Sequence, residues 1–402
     1  MMQANSKKRF HSLDIPAEWT ISELADFVKL RKDKYVPSEA ESRPCIELEH
    51  LDSGTGTILG SISSSQQKST KTKFNMGQVL FGKLRPYLRK SWHCQFDGVC
   101  SSEIWVLDTI NDGCSNEFLH CLVQSSRFIQ AASVSTGSKM PRADWDFLST
   151  VPFALPLPTE QKAIAHVLGL VDKAIETNNR LIAQKQLRKK WLMQNLLTGK
   201  KRLKGFTGEW ITTRLGELTR ETNTRNAKSA LGPDSLMAVT KAMGLVPMRE
   251  RVQGESVARC KVIEKNSFAY NPMRLNIGSI ARWSEGRTAM VSGDYVVFRC
   301  RENLFDADYL DFYRQTHAWS HFVKRAGDGS VRVRIYYSHL SRLKITVPPI
   351  TEQEAIAAVL LPAQREIELL QAKRQSLRNL KTGLMQQLLT GIKRLKVAGG
   401  VR

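Results

Sequence analysis

Several clusters of side chains in this sequence could contact a polyanion. Lys83, Arg85, Tyr87, Arg89 and Lys90 set four cations around one aromatic ring on an expected strand-to-loop segment. Lys68, Lys71 and Lys73 occupy a Ser/Thr/Gln-rich stretch suited to holding phosphates. Ser138, Lys139 and Arg142 follow later. In the second half, Arg274, Asn276, Arg282 and Arg287 form another group, and Ser330, Arg332 and Arg334 a last one. Residues 331–336 read as a strand, on which Arg332 and Arg334 point to one face. Arginine and asparagine can pair bidentately with guanine and adenine edges, whereas lysine and serine more often hold phosphate. Any one of these residues alone would ordinarily be a solvated surface charge. Grouped, they point to double-stranded DNA.

No catalytic constellation accompanies them. Asp52-Ser53-Gly54-Thr55-Gly56 has the glycines of a cofactor loop, but a Ser/Gln-rich stretch follows where a helix would be needed, so a turn is expected. Adenine methylation needs a polar side chain beside a Pro-Pro-aromatic run to hold the flipped base. Asn271-Pro272-Met273-Arg274 and Val347-Pro348-Pro349-Ile350 both fail that pattern. Glu160-Gln161-Lys162 has the Glu-x-Lys spacing of a nuclease, yet it opens a helix and lacks a partner aspartate. Cys94, Cys100, Cys114 and Cys121 with His93 and His120 match no zinc spacing, and reduced structural thiols are expected, with no metal. The chain reads as a binding protein, not an enzyme.

The charge pattern supports that reading and qualifies it. The net charge of +22 over 402 residues favours an anionic partner. Residues 1–158 carry 18 basic and 17 acidic side chains, net +1, whereas residues 205–350 carry 22 and 14, net +8. Between them, residues 159–204 reach +8, and residues 351–396 reach +4. Any contact by the first part must therefore come from local patches. No apolar run is long enough to span a membrane, and the charged N-terminus has no apolar segment after it. A cytoplasmic location is expected.

What positions these clusters is a duplication. Residues 159–204 align with 351–396 without a gap, with 22 identities in 46 positions. Thr159-Glu160-Gln161 faces Thr351-Glu352-Gln353, and Leu192-Met193-Gln194 faces Leu384-Met385-Gln386. Each copy has helical periodicity. Ile164, Leu168, Val171, Ile175, Ile182 and Leu196 form the apolar stripe of the first, and Ile356, Leu360, Ile367, Leu370, Leu377, Leu384 and Leu388 that of the second. Each copy follows prolines, with a threonine able to cap, helped in the second by Glu354, and each stops at Thr-Gly. Pro362 should kink or break the second. The two stripes are expected to pack antiparallel, as a coiled-coil-like rod with approximate two-fold symmetry.

The stretches around the helices match each other faintly but in the same order. Glu18-Trp19 parallels Glu209-Trp210, and Thr136-Gly137-Ser138 with Arg142 parallels Asp328-Gly329-Ser330 with Arg334. Short β-rich runs dominate, such as Gly77–Gly82, Glu103–Leu107 and Tyr295–Phe298, interrupted by helical patterns over Phe118–Gln130 and Asp308–Val323. The expected class is mixed α/β (α+β), with one module over residues 1–156, a helix over 157–204, a second module over 205–349 and a second helix over 350–402.

The module–helix–module–helix order, the Thr-Glu-Gln starts and the Leu-Met-Gln-x-Leu-Leu-Thr-Gly ends resemble the specificity subunit of type I restriction–modification systems. Cys45–Gly56, Val79–Leu88 and Ala269–Ile280 are similar to segments of its target-recognition domains. Pro362 and Lys162 depart from a regular helix pair. The resemblance implies that each module reads half of a split, asymmetric DNA site, with the helices as spacer. It also implies two modification subunits that methylate adenine N6 with S-adenosylmethionine, and two motor-nuclease subunits using ATP and Mg, leaving no cofactor on this chain. A stand-alone repressor-like DNA-binding protein, or the recognition part of a fused restriction-methyltransferase, is the alternative.

Overall fold

Short runs of apolar and β-branched residues between turns fold both halves of the chain into the same arrangement of strands. A computed structural model describes residues 15–110, 112–134, 140–227, 229–248, 257–326 and 334–395. The chain forms two compact units, one from residues up to 180 and from 372 onward, the other from residues 181–371. Each unit holds one module and part of each long helix.

In the first unit an antiparallel sheet runs in the order Val28–Arg31, Ile104–Thr109, Val79–Gly82, Ser91–His93. A second sheet runs Lys34–Tyr35, Lys71–Phe74, Gly98–Cys100, Pro44–Ile46, Ile62–Ser63, with one parallel pair between Pro44–Ile46 and Gly98–Cys100. The second unit repeats this. Its first sheet runs Thr219–Glu221, Val296–Cys300, Phe268–Tyr270, Ile280–Arg282. Its second runs Lys261–Ile263, Ala289–Val291, Leu236–Thr240, Gly244–Pro247, again with one parallel pair, and an Arg225–Lys261 bridge stands where the first module has its strand at Lys34–Tyr35. In each module a ribbon joins the first strand to the last, Thr20–Glu23 with Pro152–Leu155 and Ile211–Arg214 with Lys344–Val347. Module ends are thereby brought together where a long helix begins.

Each module has two apolar layers. Ile46, Phe74, Leu80, Trp92 and Val106 fill the space between the sheets of the first, and Met237, Ile263, Ala269, Trp283 and Val297 that of the second. The outer face of each first sheet is covered by helices. There Phe81, Phe118, Phe128 and Phe153 pack with Ile164, Leu168 and Leu388 of the long helices. Tyr270, Phe298 and Tyr309 do the same with Leu196, Ile356 and Leu360. Each such side chain contributes roughly 1.5–3 kcal/mol by burial, so the helix ends are part of the module cores.

The module helices differ from the sequence reading in one way. The pattern over Phe118–Gln130 divides into Asn116–Val123 and Ser126–Ala132, because the Ser125 hydroxyl accepts the Phe128 N–H and starts a new helix. Thr316 does the same between Ala307–Tyr313 and His317–Arg325. A side chain that can cap is a stronger local signal than continued apolar periodicity.

The long helices span Pro158–Leu196 and Ile350–Leu388. Thr159 and Thr351 lie inside the first turn, so neither is the capping residue the sequence suggested. Pro362 does not break the second helix. The residue four positions earlier, Ala358, is exposed, so water can satisfy the carbonyl that proline leaves unpaired. Gly199 and Gly391 adopt left-handed φ of 71° and 76°, which ends each helix. Within each unit the two helices run antiparallel: Lys381 pairs with Asp172 at 2.7 Å in the first, and Lys185 with Glu366 at 2.5 Å in the second. Ile164, Leu168, Ile175, Ile182, Leu196, Ile356, Leu360, Ile367 and Leu388 are buried, and Val171, Leu370, Leu377 and Leu384 half-buried.

Among the described residues no three His, Cys, Asp or Glu side chains are grouped to hold a metal ion, and no helix is long and apolar enough to cross a membrane. Six of the cysteines are buried, and burial pushes the Cys114 and Cys121 thiols up to about 12.

Candidate nucleic-acid interface

Strand register equates positions that sequence alignment leaves ambiguous. Phe81 and Tyr270 occupy the same place in the two first sheets: Leu80 and Ala269, just before them, lie opposite Val106 and Val297 in the inter-sheet cores. Two residues on, Lys83 and Pro272 accept backbone hydrogen bonds from Ala143 and Ile335 at 2.8 and 3.0 Å. Arg85 and Arg274, four residues past Phe81 and Tyr270, each precede a one-turn 3-10 helix. Arg142 and Arg334 immediately precede Ala143 and Ile335. Each module therefore brings together the loop after its central strand and a return loop, and each places an exposed arginine on both. Arg85 with Arg142 matches Arg274 with Arg334.

Around this recurring pair the predicted residues divide into exposed and engaged. Tyr87 and Asn276 are exposed on the two 3-10 turns, where a ring can stack and an amide can read a base edge. Lys68 and Lys73 are exposed as well. Arg89 instead reaches the Gln124 carbonyl at 3.2 Å, and Lys90 bonds the Leu48 carbonyl. Arg142 also pairs with Glu103 at 3.1 Å. Arg282 pairs with Asp308, and Arg287 pairs with Glu285 at 2.6 Å while lying over the Trp283 ring. Lys83 is half-buried.

Lys71 is a correction. It sits on a strand, not in a loop, is 3% exposed, and binds Glu47, Gln67 and Ser69. Its charge is already used, which leaves nothing for a phosphate. Arg334 is likewise not on a strand; the described residues from 334 to 336 are irregular. Ser138, Lys139, Ser330 and Arg332 lie outside the described residues.

The sequence reading missed a cleft of about 1300 Å³ in the second module, beside Arg334. Arg225, Arg259, Lys261, Asn271 and Tyr336 line it, with Glu221 and Asp294. Arg225 is held by its bond to the Arg259 carbonyl at 2.9 Å. Lys261 is only 7% exposed, and burial lowers its pKa against the opposing pull of Glu221. Arg259 and Lys261 are an evident basic pair in sequence, but nothing there joins them to Arg225 or Arg334.

The repeated helix starts hold the modules in place. Glu160, buried in the first turn, accepts the Trp19 indole N–H at 3.0 Å and both prongs of Arg394. Glu352 does the same with Trp210 at 3.3 Å and Arg202. Gln161 bonds the Gly113 and Pro156 carbonyls and the Ser115 N–H, while Gln353 bonds the Leu304 and Pro348 carbonyls and the Asp306 N–H. Further along, Lys381 joins Asp172 to Gln124, both at 2.7 Å, and Lys189 joins Gln364 at 2.6 Å to Gln315 at 3.1 Å. The Thr-Glu-Gln repeat is thus a docking device for the module, not a capping box.

Known proteins resemble this chain in sequence and in fold. The family described as type I restriction modification DNA specificity domain covers residues 16–185. Those residues are similar to such a domain. The chain is 26% identical over 217 residues to the type I restriction enzyme EcoDI specificity subunit of Escherichia coli, covering 52% of this chain and 46% of that protein. It is 26% identical over 204 residues to the MjaVIII specificity subunit of Methanocaldococcus jannaschii, covering 48% and 44%. The matched stretches span about half the length of these curated relatives. The type I restriction–modification S subunit from M. genitalium shares the fold at a TM-score of 0.60 and 13% identity, over 93% of this chain and 96% of that one. So does a chain solved in work on complex assembly and conformational transition of the type I system, at 0.52 and 18%, over 94% and 98%. The second module repeats the strand order of the specificity domain.

Proposed function

We propose that this chain is the DNA-recognition subunit of a type I restriction–modification complex and is itself non-catalytic. The observation that carries this is the recurrence of the Arg85/Arg142 pair as Arg274/Arg334 on two modules of one topology, the first of which matches the specificity-domain family. Each module, within the proposed bounds 1–156 and 205–349, reads one half of an asymmetric double-stranded site. The helical segments, 157–204 and 350–402, set the spacer; a 39-residue helix extends roughly 58 Å at about 1.5 Å per residue. They also offer two equivalent docking surfaces to two adenine-N6 methyltransferase subunits, since a duplicated element binds identical partners alike. S-adenosylmethionine belongs to those subunits, and ATP with Mg to two motor-nuclease subunits, in the cytoplasm of a bacterium or archaeon.

The test is to exchange residues 205–350 for the corresponding module of another such protein, in a host carrying the complete system. Sequencing methylated adenines should show one half of the recognised site changed and the other kept. Methyl transfer by the purified chain alone would overturn the reading.

A further inference from the structure

We propose that the cleft around Lys261 binds one backbone phosphate of the DNA, and that the first module lacks this site; this rests on the reading of the chain as a DNA-recognition subunit. The two modules can be compared residue by residue through the parallel pairs of their second sheets. Ile46 lies opposite Cys100, and Met237 opposite Val291, with Ile46 and Met237 both in inter-sheet cores. On the next strand Cys100 faces Thr72 and Val291 faces Lys261. The neighbour beyond is Lys34 in the first module and Arg225 in the second. Lys261 therefore occupies the place of Thr72. Phe74 and Ile263, two residues later, both enter the inter-sheet cores, which confirms the register.

A lysine at that place presents its charge to the cleft. Lys261 is over nine-tenths buried and lines the cleft, and among the described residues no hydrogen bond or ion pair reaches its Nζ. Its stem is buried while the ammonium stays open to the cleft, an arrangement that an anion entering from outside would complete. Among the described residues the lining carries Arg225, Arg259, Lys261 and Arg334 against Glu221 and Asp294, a net +2 suited to a phosphodiester. Asn271, Met273 and Arg334 place the cleft on the edge that carries the recurring arginine pair.

The first module has solved the same position differently. Thr72 is neutral, and Lys71, on the opposite face of the strand, is held by Glu47 at 2.5 Å. The second module should therefore supply the more salt-sensitive grip, in line with its net +8 against +1 for residues 1–158.

The experiment measures binding of the full chain, assembled with its modification subunits, to a duplex carrying the target site at several KCl concentrations. Losing one phosphate contact reduces the slope of log K against log salt by about 0.9. Lys261→Gln should show that reduction, and Lys261→Arg should restore it. Arg259→Gln, at an exposed position that folding does not require, should also lower the slope and keeps the test valid if Lys261→Gln misfolds. Inorganic phosphate added as competitor should weaken wild-type binding more than Lys261→Gln binding; a Tm shift by phosphate without any DNA effect would mean a free-phosphate site and refute the proposal. Specific binding with an unchanged slope in both Gln variants overturns this inference alone. Absence of any specific DNA binding by the wild-type complex overturns the underlying function as well.

Discussion

Arg394 grips Glu160 with two hydrogen bonds, Nε to Oε1 at 2.6 Å and Nη2 to Oε2 at 2.8 Å. Arg394, six residues past the end of one long helix, thereby closes on the first turn of the other, where Glu160 is 2% exposed and also bonded by Trp19. Arg202 and Glu352 repeat the arrangement in the second unit. The bond raises the Arg394 pKa further, so its charge is constant at any working pH.

Arg394→Ala leaves the Glu160 carboxylate buried with one indole N–H. A loss of about 3 kcal/mol is expected, since removing one partner of a buried pair strands the other charge. Glu160→Gln, which removes the charge too, should cost less. Urea-unfolding midpoints give the comparison, and equal midpoints for Arg394→Ala and wild type would contradict the role assigned to this clasp.

Arg85→Asn and Arg274→Gln should each weaken binding to the target duplex by about 1–3 kcal/mol, the value of a bidentate base contact. Asparagine is chosen at position 85 because that residue has φ of 53°, which asparagine tolerates. Both side chains are exposed, so stability should stay within about 0.5 kcal/mol. Each variant should relax preference in one half-site only, as read by binding to a randomised duplex pool.

Lys71→Met should behave in the opposite way. It strands Glu47 in a partly buried position, so the melting temperature falls, while affinity for DNA per folded molecule is unchanged. A fall in affinity at full stability would return Lys71 to the contact surface.

His120 should make the first unit acid-sensitive. Loss of water around its ring, with Lys381 and His93 nearby, lowers its pKa from 6.5 to about 3. Between those values the unfolded chain binds a proton that the folded one does not. Stability is therefore full above about pH 6.5 and declines as pH falls toward 3, by at most about 1.4 kcal/mol per pH unit. Urea midpoints at pH 7.5 and 5 should separate for wild type and converge for His120→Gln.

The helices were legible in sequence because their signal is local and repeated: apolar residues every three or four positions, Thr-Gly stops, and a constant offset of 192 between Thr159 and Thr351. The Arg142–Arg334 correspondence followed the same offset. The Arg85–Arg274 match did not, because the stretches from those residues to the return-loop arginines differ in length, 57 positions against 60. Strand register and the hydrogen bonds at Lys83 and Pro272 align them. Lys71 was read as a free cation because its partner, Glu47, lies 24 residues away and no local pattern joins them.

Residue types and periodicity by themselves determined that the chain is duplicated, mixed α/β, basic in its second half and furnished with arginine and lysine clusters. These properties depend on spacing along one segment, where each turn of helix or strand fixes its own neighbours. Which cations remain free was decided by tertiary structure alone. Lys71 is neutralised across a sheet, Arg282 across to a helix, and Lys261 is drawn into a cleft with Arg225 and Arg334 from strands and loops far apart in the chain. The energy of a charge depends on what is packed within a few ångströms of it, and only the folded chain sets those distances.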